Sequence, residues 1–305
     1  MKEKGADYVW FDGEFVKWEE AKIPIMTHAL HYGTAVFEGI RAYGTQDNLY
    51  VFRLEDHMAR LHQSARFYSM TNKYSVKELC DITVDLLKKN NFRSSCYIRP
   101  LHFVGLHGID LNVGNASPTQ IAIIVFPFAR YFPTSGIKAC ISSWRRIHDS
   151  STPPMAKAAG NYLNSILATQ ESKRNGYDEA ILLDIDGNIS EASGENIFVV
   201  RNNTMITPNA TTSALEGITR DTAINIAKNL GIPVSERPLS RSELYISDEV
   251  FLTGTAAEII AITHIDGHKI GTGFEGKITR TIRETYSEIV NGKIDQFSNW
   301  LTQVW

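Results

Sequence analysis

The chain has 305 residues, enough for one large domain or two of ordinary size around a substantial core, and two are expected. Its 31 Lys and Arg against 34 Asp and Glu leave a formal charge of −3. That balance offers no basic field for nucleic acid or an anionic lipid surface, and small-molecule chemistry becomes the default.

Three cysteines, Cys80, Cys96 and Cys140, are too few and too scattered for a disulfide framework, and no Cys-x-x-Cys pair suggests zinc or redox chemistry. The amino terminus runs into an alternating strand without an apolar stretch of signal-peptide length. The longest apolar run, 121–128, is too short to span a bilayer. A soluble cytoplasmic protein that does not engage membranes is expected.

Tyr8-Val9-Trp10-Phe11-Asp12-Gly13-Glu14-Phe15-Val16 reads as two short β runs around Asp-Gly, a hairpin signal. His28 and His31 follow, three apart. As metal ligands they would need a further partner at suitable spacing, and none stands there, so no metal is expected and both are assigned to structural hydrogen bonding. From Arg53 the pattern turns helical, with Leu54, Met58, Leu61, Ala65 and Tyr68 on one apolar stripe. Arg60 lies off that stripe, and spacing alone puts it on a solvated face. Ser75-Val76-Lys77-Glu78 is a capping box opening a second helix through about Asn90.

A strand is expected over 96–104, where Tyr97 and Arg99 stand among apolar neighbours; a buried arginine there needs a partner, structural or substrate. A glycine-broken loop covers 105–111, and a further strand covers 120–128. Pro133, Thr134, Ser135 and Gly136 mark 129–136 as a linker between domains at 1–128 and 137–305.

The second half opens with a strand at 137–144 and reaches Met155-Ala156-Lys157-Ala158-Ala159-Gly160 after Pro153-Pro154. A surface lysine has no need of such small neighbours. One against which a flat ring must lie does, because small side chains leave room for it. A helix is expected over 161–175, with Tyr162 in its first turn and a stripe of Leu163, Ile166, Leu167 and Gln170. Strands at 179–184 and 196–200 flank a hairpin at Asp186-Gly187 and then Ser190-Glu191. Glu191 is either a turn carboxylate or the partner of a ring nitrogen. Gly217-Ile218-Thr219-Arg220 leads into a helix that stops at Gly231 with Pro233 beyond, and Thr253-Gly254-Thr255-Ala256-Ala257-Glu258 makes a second small-residue turn. Backbone N–H groups at both places suit a phosphate dianion, although each alone also reads as an ordinary cap. A last helix is expected over 277–290. Gly271-Thr272-Gly273-Phe274-Glu275-Gly276 spells G-x-G-x-x-G, but too little chain follows to build a βαβ unit, so nicotinamide binding is not expected there.

Taken together and in order, Lys157-Ala158-Ala159-Gly160-Asn161-Tyr162-Leu163, Ile189-Ser190-Glu191 with Gly194-Glu195-Asn196-Ile197-Phe198, Gly217-Ile218-Thr219-Arg220 and Gly254-Thr255-Ala256-Ala257-Glu258 resemble the signatures of the branched-chain amino acid aminotransferases. His28-Ala29-Leu30-His31-Tyr32-Gly33, Phe37-Glu38-Gly39-Ile40-Arg41 and Tyr97-Ile98-Arg99-Pro100 extend the resemblance into the amino-terminal half. It implies a mixed α/β, two-domain protein of fold type IV, like D-amino acid aminotransferase, with pyridoxal 5′-phosphate in the interdomain cleft. It also implies transfer of the amino group of leucine, isoleucine or valine to 2-oxoglutarate.

On that resemblance, Lys157 joins the cofactor as a Schiff base and carries the proton, Glu191 meets the pyridine nitrogen and Tyr162 meets O3′. Arg60, Ile218, Thr219 and Thr255 would hold the phosphate, with Gly194 also at the cofactor. Thr255 and Ala256 with Tyr97 would bind the α-carboxylate, and Arg99 the distal carboxylate of glutamate. Tyr32, Phe37, Phe128 and Tyr131 would wall the apolar pocket. Phe128 stands where bacterial relatives often carry tryptophan, which implies a roomier pocket. The 105–111 loop would reach a neighbouring subunit, making a homodimer at least. The alternatives are another enzyme of the same fold, namely a D-amino acid aminotransferase, an (R)-amine transaminase or an aminodeoxychorismate lyase, and a non-catalytic binding protein.

Overall fold

The computed structural model describes residues 5–128, 132 and 136–305, which fall into two compact units. The first gathers Met1–Ala129, Ala156–Gly160 and Ile289–Trp305; the second gathers Arg130–Met155 and Asn161–Glu288. The expected division assigned everything from 137 onward to one domain. Two segments of that range belong instead to the first unit, and hydrogen bonds explain why. The Phe37 N–H donates to the Lys157 carbonyl at 3.0 Å, and the Lys157 N–H donates to Ser64 Oγ at 3.0 Å. Ala156 and Ala158 are buried in the first unit's core, and the terminal strand Leu301–Gln303 pairs with Leu49–Phe52. Residues 129–131 and 133–135 of the expected linker lie outside the described residues.

The first unit is built on an eight-stranded sheet whose pairings are antiparallel. Its hairpin at Asp12-Gly13 has both central residues at positive φ, 44° and 117°, the geometry that favours Asp-Gly there. The longest pairing joins Cys96–Val104 to Thr119–Pro127. Pro100 stands in the middle of a central strand, where a missing N–H is normally excluded. The neighbouring strand is interrupted opposite it: Ala35–Phe37 and Ile40–Gly44 both pair with Cys96–Val104 in continuous register, and Glu38-Gly39 fall in the gap. Helix Leu54–Phe67 buries Leu54, Met58, Leu61 and Ala65 as the spacing predicts, and Ser75 and Glu78 form both bonds of a capping box at helix Val76–Lys89.

The second unit carries a nine-stranded mixed sheet. Ile137–Arg145 runs parallel to both Glu179–Leu183 and Glu258–Ile265, and helix Tyr162–Arg174 makes the crossover between the first two. The expected stripe on that helix is on the wrong side. Ser165, Ala168 and Ser172 face inward, while Leu163, Ile166 and Leu167 are 66%, 49% and 39% exposed. Small residues let the helix lie close on strands Ile137–Arg145 and Glu179–Leu183, and the larger apolar side chains are left outside.

His102, on the long strand of the first unit, is fully buried, and burial followed by the charges of His62 and Lys73 pushes its pKa from 6.5 down to about 4. The folded protein therefore holds this proton less tightly than the unfolded chain. The stability it contributes is complete above pH 6.5 and is lost as pH falls toward 4, by on the order of 3 kcal/mol. His102→Leu should flatten the fall in urea-unfolding free energy across that window; equal slopes in parent and variant would contradict the assignment.

Candidate active site

In the first unit, Lys157 is half-buried in a segment pinned on both sides, by the bonds to Phe37 and Ser64 described above. Its Nζ lies 5.3 Å from the centre of the Phe37 ring, and the Arg99 guanidinium lies 4.7 Å from the same ring. Gly33, at φ +67°, lies against the end of this segment: a Cβ there would stand 3.2 Å from Gly160 Cα, whereas a Cβ on Gly160 would make ordinary contact with the Gly33 carbonyl at 3.7 Å.

Arg60 is not on a solvated face, as spacing alone suggested. Its side chain is 11% exposed and grips Glu38 with two N–H donors, Nε to Oε1 at 2.7 Å and Nη2 to Oε2 at 2.9 Å. His57 Nδ1 lies 2.7 Å from Glu38 Oε2. Glu38 is fully buried, which by itself would raise its pKa; Arg60 and His57 outweigh that and hold the carboxyl well below the usual carboxylate range. Burial keeps the His57 pKa below its ordinary value, against the pull of Glu38. The strand interruption opposite Pro100 puts this carboxylate where the arginine of the next helix can reach it.

Tyr97, Arg99, Phe37 and Phe128 lie together. The Tyr97 ring lies 5.0 Å from Phe128 and 5.3 Å from Phe126, and its hydroxyl accepts from Arg99 Nη2 at 3.3 Å. Arg41 lies over Phe128 at 5.3 Å. Tyr32 belongs to another group: it is 44% exposed, its hydroxyl donates to the Ile109 carbonyl at 3.3 Å, and its ring lies 4.6 Å from His28. His28 bonds Thr34 and the Asp110 carbonyl, and His31 bonds the Ile25 carbonyl, the structural roles expected of them. Tyr131 lies outside the described residues.

In the second unit, Glu191 is 5% exposed on strand Ile189–Ala192. Arg146 Nε lies 2.8 Å from its Oε1, an ion pair in which that N–H is poorly aimed for a hydrogen bond. Asn196 Nδ2 and the Leu215 N–H donate to Oε2 at 3.2 and 3.0 Å. Asn196 Nδ2 also donates to the Leu215 carbonyl at 2.7 Å, and its Oδ1 lies against Gly217 at the start of helix Ile218–Asn229, where a Cβ would stand 1.9 Å from it. That helix begins at Gly217 with no side-chain cap, so Ile218 and Thr219 open it with backbone donors of the kind a phosphate takes. Strand pairing Asn196↔Thr253 brings the Thr255-Ala256 turn alongside, with Gly254 packed on Glu195 and the Gly194 carbonyl. Tyr162 opens its helix half-buried; Asn164, one residue beyond Leu163, accepts from Arg146 Nη1 at 3.5 Å.

The G-x-G-x-x-G stretch is filled from within. Glu249 accepts from the N–H groups of Ile278 and Thr279 at the start of helix Lys277–Val290, and a Cβ on Gly276 would meet the same carboxylate. The place where a phosphate would sit is taken by a side chain of the protein.

Sequence reading missed Glu38, His57, Arg146 and Asn196. Glu38 and Asn196 stood inside quoted motifs, and a carboxylate amid Phe37 and Gly39-Ile40 was the available sign of a buried charge needing a cation. Arg146, in Trp144-Arg145-Arg146, carried no local sign.

Gly39 is required by Tyr97: a Cβ there would stand 1.9 Å from the tyrosine hydroxyl and 2.8 Å from Cζ. Gly39→Ala should cost about 1–3 kcal/mol in urea unfolding. Adding Tyr97→Phe, which removes the nearer atom, should recover part of the loss; a double variant no more stable than the single one would contradict this contact.

The sequence model of the amino-transferases of class IV matches residues 35–265. The branched-chain-amino-acid aminotransferase of Escherichia coli (strain K12) is 46% identical over 308 aligned positions, covering 100% of this chain and 99% of that protein. Among solved structures, the branched-chain aminotransferase of Thermoproteus uzoniensis with norvaline superimposes with a TM-score of 0.96 at 46% identity, covering 99% of this chain and 100% of that one. The branched-chain amino acid aminotransferase of Thermobaculum terrenum, in its PLP-bound holo-form, gives a TM-score of 0.94 at 40% identity over 99% of each chain. A match of this length, over a chain that carries the lysine, the buried carboxylates and the uncapped helix start, places the protein in the class IV aminotransferases of fold type IV, within the branched-chain amino acid aminotransferase family.

Proposed function

We infer that this chain transfers the amino group of L-leucine, L-isoleucine or L-valine to 2-oxoglutarate with pyridoxal 5′-phosphate as cofactor, in two half-reactions that share one site. The observation that carries the reading is full-length similarity at 46% identity in a chain whose Lys157 is held between Phe37 and Ser64 among alanines.

The donor set fits the cofactor. Glu191 is a buried carboxylate held by Arg146, Asn196 and the Leu215 N–H, suited to a cationic ring nitrogen. The helix at Ile218 starts at Gly217 with no side-chain cap, and the backbone donors of a helix start suit a phosphate. When bound, pyridoxal 5′-phosphate supplies an aldehyde that condenses with amines and a ring that takes up the electron pair left by breaking the substrate Cα–H bond.

The chain's own residues supply the rest. Lys157 Nζ would hold the cofactor through its aldehyde carbon and, as a free amine, would be the base that carries the substrate Cα proton. Glu191 would keep the ring nitrogen protonated, and Tyr162 would donate toward O3′. Arg60, the Ile218 and Thr219 amides, the Thr219 hydroxyl and Thr255 would bind the phosphate, with Gly194 alongside. Arg60 would do so beside Glu38, which it grips through Nε and Nη2. Tyr97 with the Thr255 and Ala256 amides takes the α-carboxylate, and Arg99 the distal carboxylate of glutamate. Phe37, Phe128, Tyr32 and Tyr131 wall the aliphatic side chain. Discrimination among the three substrates is modest, since one methylene is worth about 1–3 kcal/mol.

The enzyme works as a homodimer or higher homo-oligomer in the cytoplasm. Each unit presents apolar surface that water should not cover. In the first, a cavity of about 410 Å³ is lined by Val9, Phe11, Leu30, Leu101, Phe103 and Ile124 among others, and the 105–111 loop exposes Leu106, Ile109 and Leu111. In the second, Leu163, Ile166 and Leu167 form the outward face of their helix. That loop, tied to His28 and Tyr32, reaches the neighbouring subunit's site. Among the described residues no helix is long and apolar enough to cross a membrane, and the three thiols are unpaired, as a reducing compartment keeps them.

With 2-oxoglutarate as acceptor, purified protein should release 4-methyl-2-oxopentanoate from L-leucine and leave D-alanine untouched. Turnover of D-alanine alone would assign the site to the D-amino acid branch of the fold.

A further inference from the structure

Arg146 takes no part in the chemistry assigned above, yet it is one of the most deeply buried cations of the second unit, at 8% exposure. Its backbone N–H is fixed to the Leu183 carbonyl at 2.8 Å, one strand away from Glu191 in the same sheet. Its guanidinium meets Glu191 at 2.8 Å and Asn164 at 3.5 Å. A buried carboxylate without such a neighbour prefers to be protonated, because burial penalises the charged form. The donors from Asn196 and Leu215 add hydrogen bonds but no charge.

We propose that Arg146 is a positioning residue that holds Glu191 ionised and thereby keeps the proton on the cofactor's ring nitrogen. The proposal rests on the reading that Glu191 faces that nitrogen. The proton shared between the two sits either on nitrogen, giving a pyridinium beside a carboxylate, or on oxygen, giving a neutral pyridine beside a carboxylic acid. Arg146 stabilises the carboxylate of the first state at contact distance. It repels the pyridinium less, because a nitrogen bonded to that carboxylate stands farther from the guanidinium than the carboxylate does. The net effect favours pyridinium, the form that accepts electrons. Bond counts do not change between the two states; one proton moves across one hydrogen bond.

The test uses holoenzyme reconstituted with pyridoxal 5′-phosphate labelled with ¹⁵N in the ring, and reads the nitrogen's protonation from its chemical shift across a pH series. Parent protein should give a pyridinium signal throughout its stable range. Arg146→Gln should lower the ratio of protonated to unprotonated nitrogen at least about tenfold at a given pH. Arg146→Lys, which keeps the charge on a shorter single-point head, should shift the titration in the same direction and less. Should the glutamine variant fail to hold cofactor, the lysine variant decides, and a titration equal to the parent's overturns the proposal. Glu191→Gln separates the two levels. If it moves the signal while Arg146→Gln does not, the role of Arg146 is wrong and that of Glu191 stands; if neither moves it, Glu191 does not face the ring.

Discussion

A carboxylate taken out of water must be given a cation or give up its charge, and Glu38 and Glu191 each meet that constraint with an arginine. Glu38 is held by Arg60 and His57, and Glu191 by Arg146, Asn196 and the Leu215 N–H. Desolvating an ion costs several kcal/mol, so neither carboxylate would stay ionised on burial alone. The pairings fix the positions of side chains that must not drift. Through Glu38 the guanidinium of Arg60 is oriented in plane, and through Asn196 the Glu191 carboxylate is tied to the start of helix Ile218–Asn229.

The backbone is arranged to make those pairings possible. Pro100, an unexpected residue in a central strand, removes one ladder hydrogen bond, and the neighbouring strand opens where Glu38 and Gly39 stand opposite it. Gly39 leaves room for the Tyr97 hydroxyl, and Gly217 for the Asn196 amide. These glycines serve close approach, whereas Gly13 and Gly187 serve turns that need positive φ. The stretch that most resembles a nucleotide loop, Gly271 to Gly276, is closed by Glu249 and has a capping role.

Features written in local chemistry were legible. The Asp12-Gly13 hairpin, the Ser75–Glu78 box, the strand Cys96–Val104 and the helix Lys277–Val290 stand where the sequence puts them, because turn propensity, capping and periodicity act within a few residues. Lys157 and Glu191 were singled out through motifs that join several such signals, and the structure half-buries the first and buries the second. Long-range packing was not. Helix Tyr162–Arg174 turns its small residues inward because the sheet lies close beneath it, which periodicity cannot register. The Lys157 segment packs in the first unit through bonds to Phe37 and Ser64, far away in the chain. Arg60 and Arg146 were misread or missed because an arginine's partner is set by the fold, and a charged residue read alone is always better placed in water.

All of the proposed chemistry converges on one primary amine that holds the cofactor and moves a proton between neighbouring carbons. The most direct measurement is isotopic exchange of nitrogen between L-leucine and 4-methyl-2-oxopentanoate, catalysed by a Lys157→Ala variant that still binds pyridoxal 5′-phosphate. Loss of a proton carrier of this kind should slow exchange by about 10²–10⁴-fold or more. Exchange at the parental rate would show that another group does the work of Lys157.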